Sequence, residues 1–103
     1  MTLRVPEAVF YLDDLGSAFS EIDLANKSLT LRVYRTKHEA AQAKDVLSVF
    51  FGIKSVVATN KLSDVLSSAR TSEEHVRVVL CEYDALGELI EVETFLDPKK
   101  SLN

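Results

Sequence analysis

Two β-rich runs at residues 76–96, reading VRVVLCEYDALGELIEVETFL, constrain the fold more strongly than any other feature of the chain. Both runs are rich in Val, Ile, Thr, Tyr and Phe, whose side chains fit the pleated surface of a sheet. The tetrapeptide between them starts with Asp84 and ends with Gly87. That spacing is typical of a type I turn closed by a left-handed glycine. The sequence therefore predicts a C-terminal β-hairpin.

The predicted turn also sets a register for the hairpin. It pairs residue 82 with 90, residue 80 with 92 and residue 78 with 94. One face is then apolar, with Val76, Val78, Leu80, Ile90, Val92 and Leu96, and the other is mixed, with Arg77, Val79, Cys81, Tyr83, Leu89, Glu91, Glu93 and Phe95. A slip of one residue would carry two glutamates into the core, so we expect a firm register.

Length and composition place the chain among small globular proteins. With 103 residues, 47% of them hydrophobic, it has the size of a single domain over 1–103, with an ordered body at about 7–97 and a short tail at 98–103. A net charge of −4 argues against electrostatic capture of nucleic acid or of an anionic membrane by the whole surface. A single cysteine excludes an internal disulfide and fits a reducing compartment. No signal-peptide pattern or membrane-length apolar run is present, so we expect a cytoplasmic protein.

The N-terminal half combines clear strands with one ambiguous segment. Residues 8–12 and 29–35 are typical of strands, and the second of these alternates between apolar and polar residues. Over residues 14–25 a period of two residues indicates a turn and a return strand at 18–23. A period of 3.6 residues would instead indicate a short helix capped by Asp13 or Asp14. The strand is favoured.

A helix is predicted from Lys37 to Phe51. Thr36 and Glu39 form a capping box at its start, and Gly52 stands where a left-handed C-cap is expected.

A short strand at 53–59 follows, and then a second helix at 61–70, capped by Thr59 or Asn60. The sequence predicts an α+β fold, a two-layer sandwich of a mostly antiparallel sheet with two helices packed on one face. The sheet would have about five to six strands, in the order β(β)β-α-β-α-ββ.

Charge is segregated along the chain. Residues 24–38 carry four bases and no acid, whereas residues 82–97 carry six acids and no base. The favoured interpretation is that these segments are neighbouring strands, with Arg32 paired to Glu91 or Glu93.

The alternative is an anion- or nucleic-acid-binding module at the strand–helix junction, formed by Arg32, Arg35, Lys37 and His38. Free N–H groups and the helix dipole favour anions at a helix start. However, the capping box already uses two of those donors. Tyr34 is the only aromatic residue among these bases, and stacking surfaces for bases need several.

The sequence predicts no catalytic, metal-binding or cofactor-binding residues. His38 and His75 are far apart and lack a third ligand at metal-site spacing, so both are interpreted as surface residues. Cys81 has acidic neighbours rather than an activating base and is interpreted as a packing thiol.

A protein contact is the favoured functional hypothesis. Helices on one side of a sheet leave its other face open, and that face would present the predicted interface residues Val79, Tyr83, Leu89, Glu91, Glu93 and Phe95. In addition, one amphipathic helix face cannot bury both Phe50 and Phe51. The sequence therefore indicates a small non-enzymatic interaction module of accessory, regulatory or inhibitor type, which forms a homodimer or binds a protein partner.

Overall fold

The computed structural model describes residues 6–14, 17–18, 20–23, 28–72 and 75–97, and the predicted tail at 98–103 lies outside these ranges. Within them the chain forms two helices and seven strands. In chain order these are β1 (Ala8–Asp14), β2 (Ser17–Ala18), β3 (Glu21–Asp23), β4 (Ser28–Tyr34), α1 (Lys37–Phe51), β5 (Val56–Lys61), α2 (Leu62–Thr71), β6 (Val76–Tyr83) and β7 (Leu89–Leu96).

The strands form one sheet whose main body has the order β5-β1-β4-β6-β7. Strand β1 runs antiparallel to β5 along its length and meets β4 at the pair Phe10↔Tyr34. Strands β4 and β6 are parallel, and β6 and β7 form the antiparallel hairpin. The predicted α+β class, with a mostly antiparallel sheet and two helices, is confirmed.

The ambiguous segment at 14–25 is extended wherever it is described. Strand β2 pairs with the end of β1, and β3 pairs with the start of β4. The strand interpretation is therefore confirmed for residues 17–18 and 21–23, while Leu15 and Gly16 lie outside the described residues.

The hairpin turn has the geometry expected from its sequence. The N–H of Gly87 donates to the carbonyl of Asp84, and Gly87 has a left-handed φ of 80°. The Asp84 carboxylate also accepts hydrogen bonds from the backbone N–H groups of Leu86 and Glu88, both at 2.9 Å. One aspartate side chain therefore fixes the turn at two points.

Replacing Asp84 with alanine is expected to lower the free energy of unfolding by about 1 kcal/mol, because both hydrogen bonds are lost although water can reach the freed N–H groups. Equilibrium urea unfolding measures the change. Asp84→Asn is the matched control, since it keeps an oxygen acceptor at the same position and should lose less. Equal losses in the two variants would show that the carboxylate does not act through these bonds.

The register of the hairpin differs from the expected one away from the turn. The pair Glu82↔Ile90 is as predicted, but Leu80 lies opposite Glu93 and Val78 opposite Leu96, because β7 contains two irregularities. Bulges of this kind re-aim the side chains that follow them. In β7 they allow Val92, Phe95 and Leu96 to pack against the same cluster, while Glu93 and Thr94, which lie between them, stay exposed.

The ends of α1 are the predicted ones. The hydroxyl oxygen of Thr36 accepts a hydrogen bond from the N–H of Glu39 at 3.1 Å. Gly52 closes the helix with a left-handed φ of 66°.

The start of α2 is not the predicted one. Lys61 occupies the N-cap and gives no side-chain capping hydrogen bond within the described chain. Thr59 and Asn60 cannot serve as caps because both lie in β5, where they bond to β1. The Thr59 hydroxyl donates to the carbonyl of Val9 at 3.0 Å, and the Asn60 amide donates to the hydroxyl of Tyr11 at 2.9 Å.

Each helix packs against its own cluster of sheet residues, and the clusters lie on opposite faces. The α2 cluster includes Val78 and Leu80, whereas the α1 cluster includes Val79 and Cys81. Successive residues of a strand point to opposite sides of the sheet. The expected placement of both helices on one face is therefore corrected. The physical reason is the unbroken apolar run at 78–81 in β6, which is buried on both faces, as is usual for strands in parallel pairs.

Candidate functional site

Apolar residues of α1 are buried in the middle of the helix and largely exposed at its C-terminal end. Ala40 and Ala43 are buried, at 0% and 5% exposed. Beyond them lies a group that we call the α1 end patch, with Val46 39%, Val49 75%, Phe50 75% and Phe51 69% exposed. The expectation that the helix cannot bury both phenylalanines is confirmed.

Helical spacing makes the α1 end patch contiguous. Val46, Val49 and Phe50 stand at i, i+3 and i+4 and therefore share one side of the helix. No charged residue interrupts the stretch from 46 to 53. Val46 and Phe50 continue the helix face that buries Ala43, yet they remain 39% and 75% exposed. The apolar face of α1 thus extends beyond the part of the sheet that it packs on.

The sheet face predicted as a protein interface is not an open surface. Val79 is 0% exposed and lies in the cluster beneath α1, together with the half-buried Tyr83 and Leu89. Phe95 packs instead against the α2 cluster on the opposite face. The predicted interface residues are therefore divided between the two faces of the sheet, because α1 covers the face that was expected to be open.

The two glutamates of that prediction, Glu91 and Glu93, are exposed, and Glu91 is held by an arginine of the neighbouring strand. Arg77 donates to both oxygens of Glu91, at 3.1 and 3.0 Å. This hydrogen bonding holds the pKa of the Glu91 carboxyl below its ordinary value. Arg32 pairs instead with Glu21 of β3. The expected pairing of Arg32 with Glu91 or Glu93 is wrong because β6 lies between β4 and β7.

A cavity of about 210 Å³ lies between α1 and the sheet. Its apolar walls come from β1, α1 and β7 and comprise Leu12, Ala43, Val46, Leu47, Phe51 and Leu89. Its polar lining comes from β3, β4 and β6 and comprises Glu21, Thr30, Arg32, Tyr34 and Tyr83. The site is therefore amphipathic, and it adjoins the α1 end patch through Val46 and Phe51.

The polar lining of the cavity has one charge pair. One terminal nitrogen of Arg32 bonds to Glu21, while its Nε is buried and has no hydrogen-bond partner in the described chain. Burial raises the pKa of the Tyr34 hydroxyl well above its ordinary range, with neighbouring Cys81 adding to the effect. Burial also raises the pKa of Tyr83. Both tyrosines therefore remain protonated donors at neutral pH.

Cys81 is 0% exposed, and burial raises its pKa to about 11. A thiol with a raised pKa is a poor nucleophile. The predicted burial of Cys81 is confirmed.

The basic residues of the strand–helix junction are divided between two environments. Arg32 lines the cavity, and Arg35 is half-buried. Lys37 and His38 are exposed in the first turn of α1. At that helix start, Thr36 already accepts the hydrogen bond of a backbone donor. His75 is also exposed. Among the residues that the structure describes, no three of the His, Cys, Asp or Glu type lie close enough together to hold a metal ion.

Sequence reasoning did not find the cavity, because its lining comes from six elements far apart in the chain. One local signal was available: Arg32 and Tyr34 are two residues apart in β4 and must share a face of the strand. That signal places a cation and a phenol on one side of the sheet. It does not reveal that α1 closes over them.

No protein-family model matches the chain, and no curated protein or solved structure matches it either. Across the described ranges, neither helix has the length and apolar character needed to cross a membrane.

Proposed function

We propose that the chain is a small, non-enzymatic protein-interaction module of the cytoplasm that self-associates through the α1 end patch. The observation that carries the proposal is the exposure of four large apolar side chains at one end of one helix, between 39% and 75% each. Contiguous apolar surface of this kind usually marks a protein contact. The buried free thiol of Cys81 supports a reducing compartment.

A homodimer is the simplest assembly for such a surface. In a two-fold dimer the same patch meets itself, so the surface must be self-complementary. An apolar patch without charge meets this condition because it brings no like charges together. The α1 end patch replaces the outer sheet face as the proposed contact, since α1 itself covers Val79.

Binding of anions or nucleic acid through Arg32, Arg35, Lys37 and His38 ranks below self-association. The charge of Arg32 is already matched by Glu21. The exposed bases Lys37 and His38 stand beside a helix start whose capping residues are already engaged.

Replacing Phe50 with lysine is expected to weaken self-association more than tenfold. The change removes a phenylalanine side chain whose burial stabilises by about 1.5 to 3 kcal/mol, and it adds a charge that would have to be desolvated. Since Phe50 is 75% exposed in the single chain, the variant should fold normally. Sedimentation equilibrium over a range of protein concentrations measures the association constant.

Ile90→Lys is the matched control. Ile90 is another exposed apolar residue, at 40%, and it follows Leu89 in β7, so it points to the opposite side of the sheet from α1. The Ile90→Lys substitution should leave the association constant unchanged. A wild-type chain that stays monomeric at every concentration would contradict self-association, and equal effects of the two variants would contradict its location.

A further inference from the structure

We infer that the cavity beneath α1 binds a small uncharged amphipathic molecule, with a carbonyl group carried on an aromatic or branched aliphatic body. This site adjoins the contact proposed above and shares Val46 and Phe51 with it. The ligand would lie between α1 and the sheet, whereas the protein contact lies on the exposed end of α1.

The size of the cavity sets the size of the ligand. An apolar protein cavity of about 150 Å³ takes up benzene. The cavity beneath α1 measures about 210 Å³ and therefore has room for one ring with a short substituent. Val46 and Phe51 line it and are also 39% and 69% exposed, so the cavity opens to solvent beside them.

The apolar walls of the cavity determine the apolar part of the ligand. Leu12 of β1, Ala43 and Leu47 of α1, and Leu89 of β7 provide apolar walls on several sides. Pockets for small molecules combine such walls with a few polar groups that fix the orientation of the ligand. A ring or branched chain would bury its surface against these side chains.

The polar side chains that line the cavity determine which polar group the ligand should carry. Arg32 lines the cavity and its side chain is 29% exposed, so its guanidinium group can be reached by a ligand in the cavity. Tyr34 and Tyr83 add hydroxyl groups to the same cavity. Donors of this kind call for an acceptor on the ligand, and a carbonyl oxygen supplies one.

The charge balance favours a neutral carbonyl over a carboxylate. Glu21 already neutralises Arg32 and itself lines the cavity. A carboxylate ligand would place a second negative charge near Glu21, and like charges at short range repel. An amide, ketone or ester avoids this repulsion and still accepts from the guanidinium group.

The test uses three single-ring probes on the full chain: phenylacetamide, phenylacetate and ethylbenzene. Amide chemical shifts are followed by NMR during titration. Phenylacetamide is expected to shift residues of β4 and α1 that line the cavity, and to bind about tenfold more tightly than either of the other probes, since a hydrogen bond to a charged group is worth roughly that factor.

Arg32→Met keeps the apolar stem and removes the donors. It should weaken phenylacetamide binding about tenfold and leave ethylbenzene binding unchanged. Arg70→Met is the matched control, because Arg70 is exposed in the last turn of α2. This variant should bind phenylacetamide and ethylbenzene as tightly as the wild type does. Ala43→Leu fills the cavity and should abolish binding of both probes, with the amide spectrum showing that each variant is folded.

Three results would overturn the inference. The first is the absence of shifts at cavity residues for all three probes up to their solubility limits. The second is tighter binding of phenylacetate than of phenylacetamide. The third is an equal loss of phenylacetamide and ethylbenzene binding in folded Arg32→Met, which would show that Arg32 only shapes the cavity.

Discussion

Replacing Leu80 with alanine is expected to lower the free energy of unfolding by about 2 to 5 kcal/mol. Leu80 is 1% exposed and lies in β6, between parallel β4 and antiparallel β7. Truncating it removes buried apolar surface and leaves a cavity in the α2 cluster, which can collapse only in part. Because small domains are stable by only about 5 to 15 kcal/mol, the loss is a large share of the total. Equilibrium urea unfolding measures it.

Leu86→Ala is the matched control for this substitution. Leu86 lies in the hairpin turn and is 86% exposed, so the same chemical change should alter the free energy of unfolding by less than about 0.5 kcal/mol. The urea dependence of the unfolding free energy should be similar in both variants, since each exposes nearly the same surface on unfolding. Similar losses at residues 80 and 86 would contradict the central position of β6.

Raising the pH from neutral to about 11 is expected to destabilise the fold by about 2 kcal/mol through Cys81. The folded thiol has a pKa of about 11, whereas its ordinary value is 9.0. Between these values the unfolded chain releases the proton while the folded chain keeps it, so the unfolded state binds fewer protons and stability falls as pH rises. The contribution of each pH unit is about 1.4 kcal/mol. Below pH 9 the effect of this thiol is absent.

Tyr34 adds to the same trend at the upper end of the range. Its ordinary pKa is 10.0 and burial raises it, so its contribution begins only above pH 10. Urea unfolding at a series of pH values, with a reductant present, measures the combined slope.

Cys81→Ala separates the two groups. This variant should be less stable at neutral pH, because a buried side chain is truncated, but its stability should fall less steeply between pH 9 and 10. Identical slopes for the wild type and for Cys81→Ala would show that the thiol does not ionise at a raised pKa.

Local signals in the sequence predicted the elements well. Asp84 and Gly87 specify a turn through one side-chain acceptor and one left-handed residue, and both act as expected. Thr36 and Gly52 likewise mark the two ends of α1. The hairpin turn and the helix caps form between residues a few positions apart, so they do not depend on the rest of the fold.

Long-range arrangement could not be predicted from the same signals. The run at 78–81 was divided into an inner and an outer face by strict alternation, whereas all four residues are buried. That burial requires a helix on each side of β6, and helix placement depends on crossovers spanning tens of residues. The cavity beneath α1 depends on the same crossovers and was therefore missed.

The two irregularities in β7 have a consequence for how copies of the chain can meet. Strand β7 stands at one end of the sheet order, with an edge that another strand could extend. Irregular spacing of its backbone groups, together with exposed Glu91, Glu93 and Thr94, makes that edge a poor template for strand addition. The β7 edge of the sheet is thereby protected against open-ended growth by strand addition.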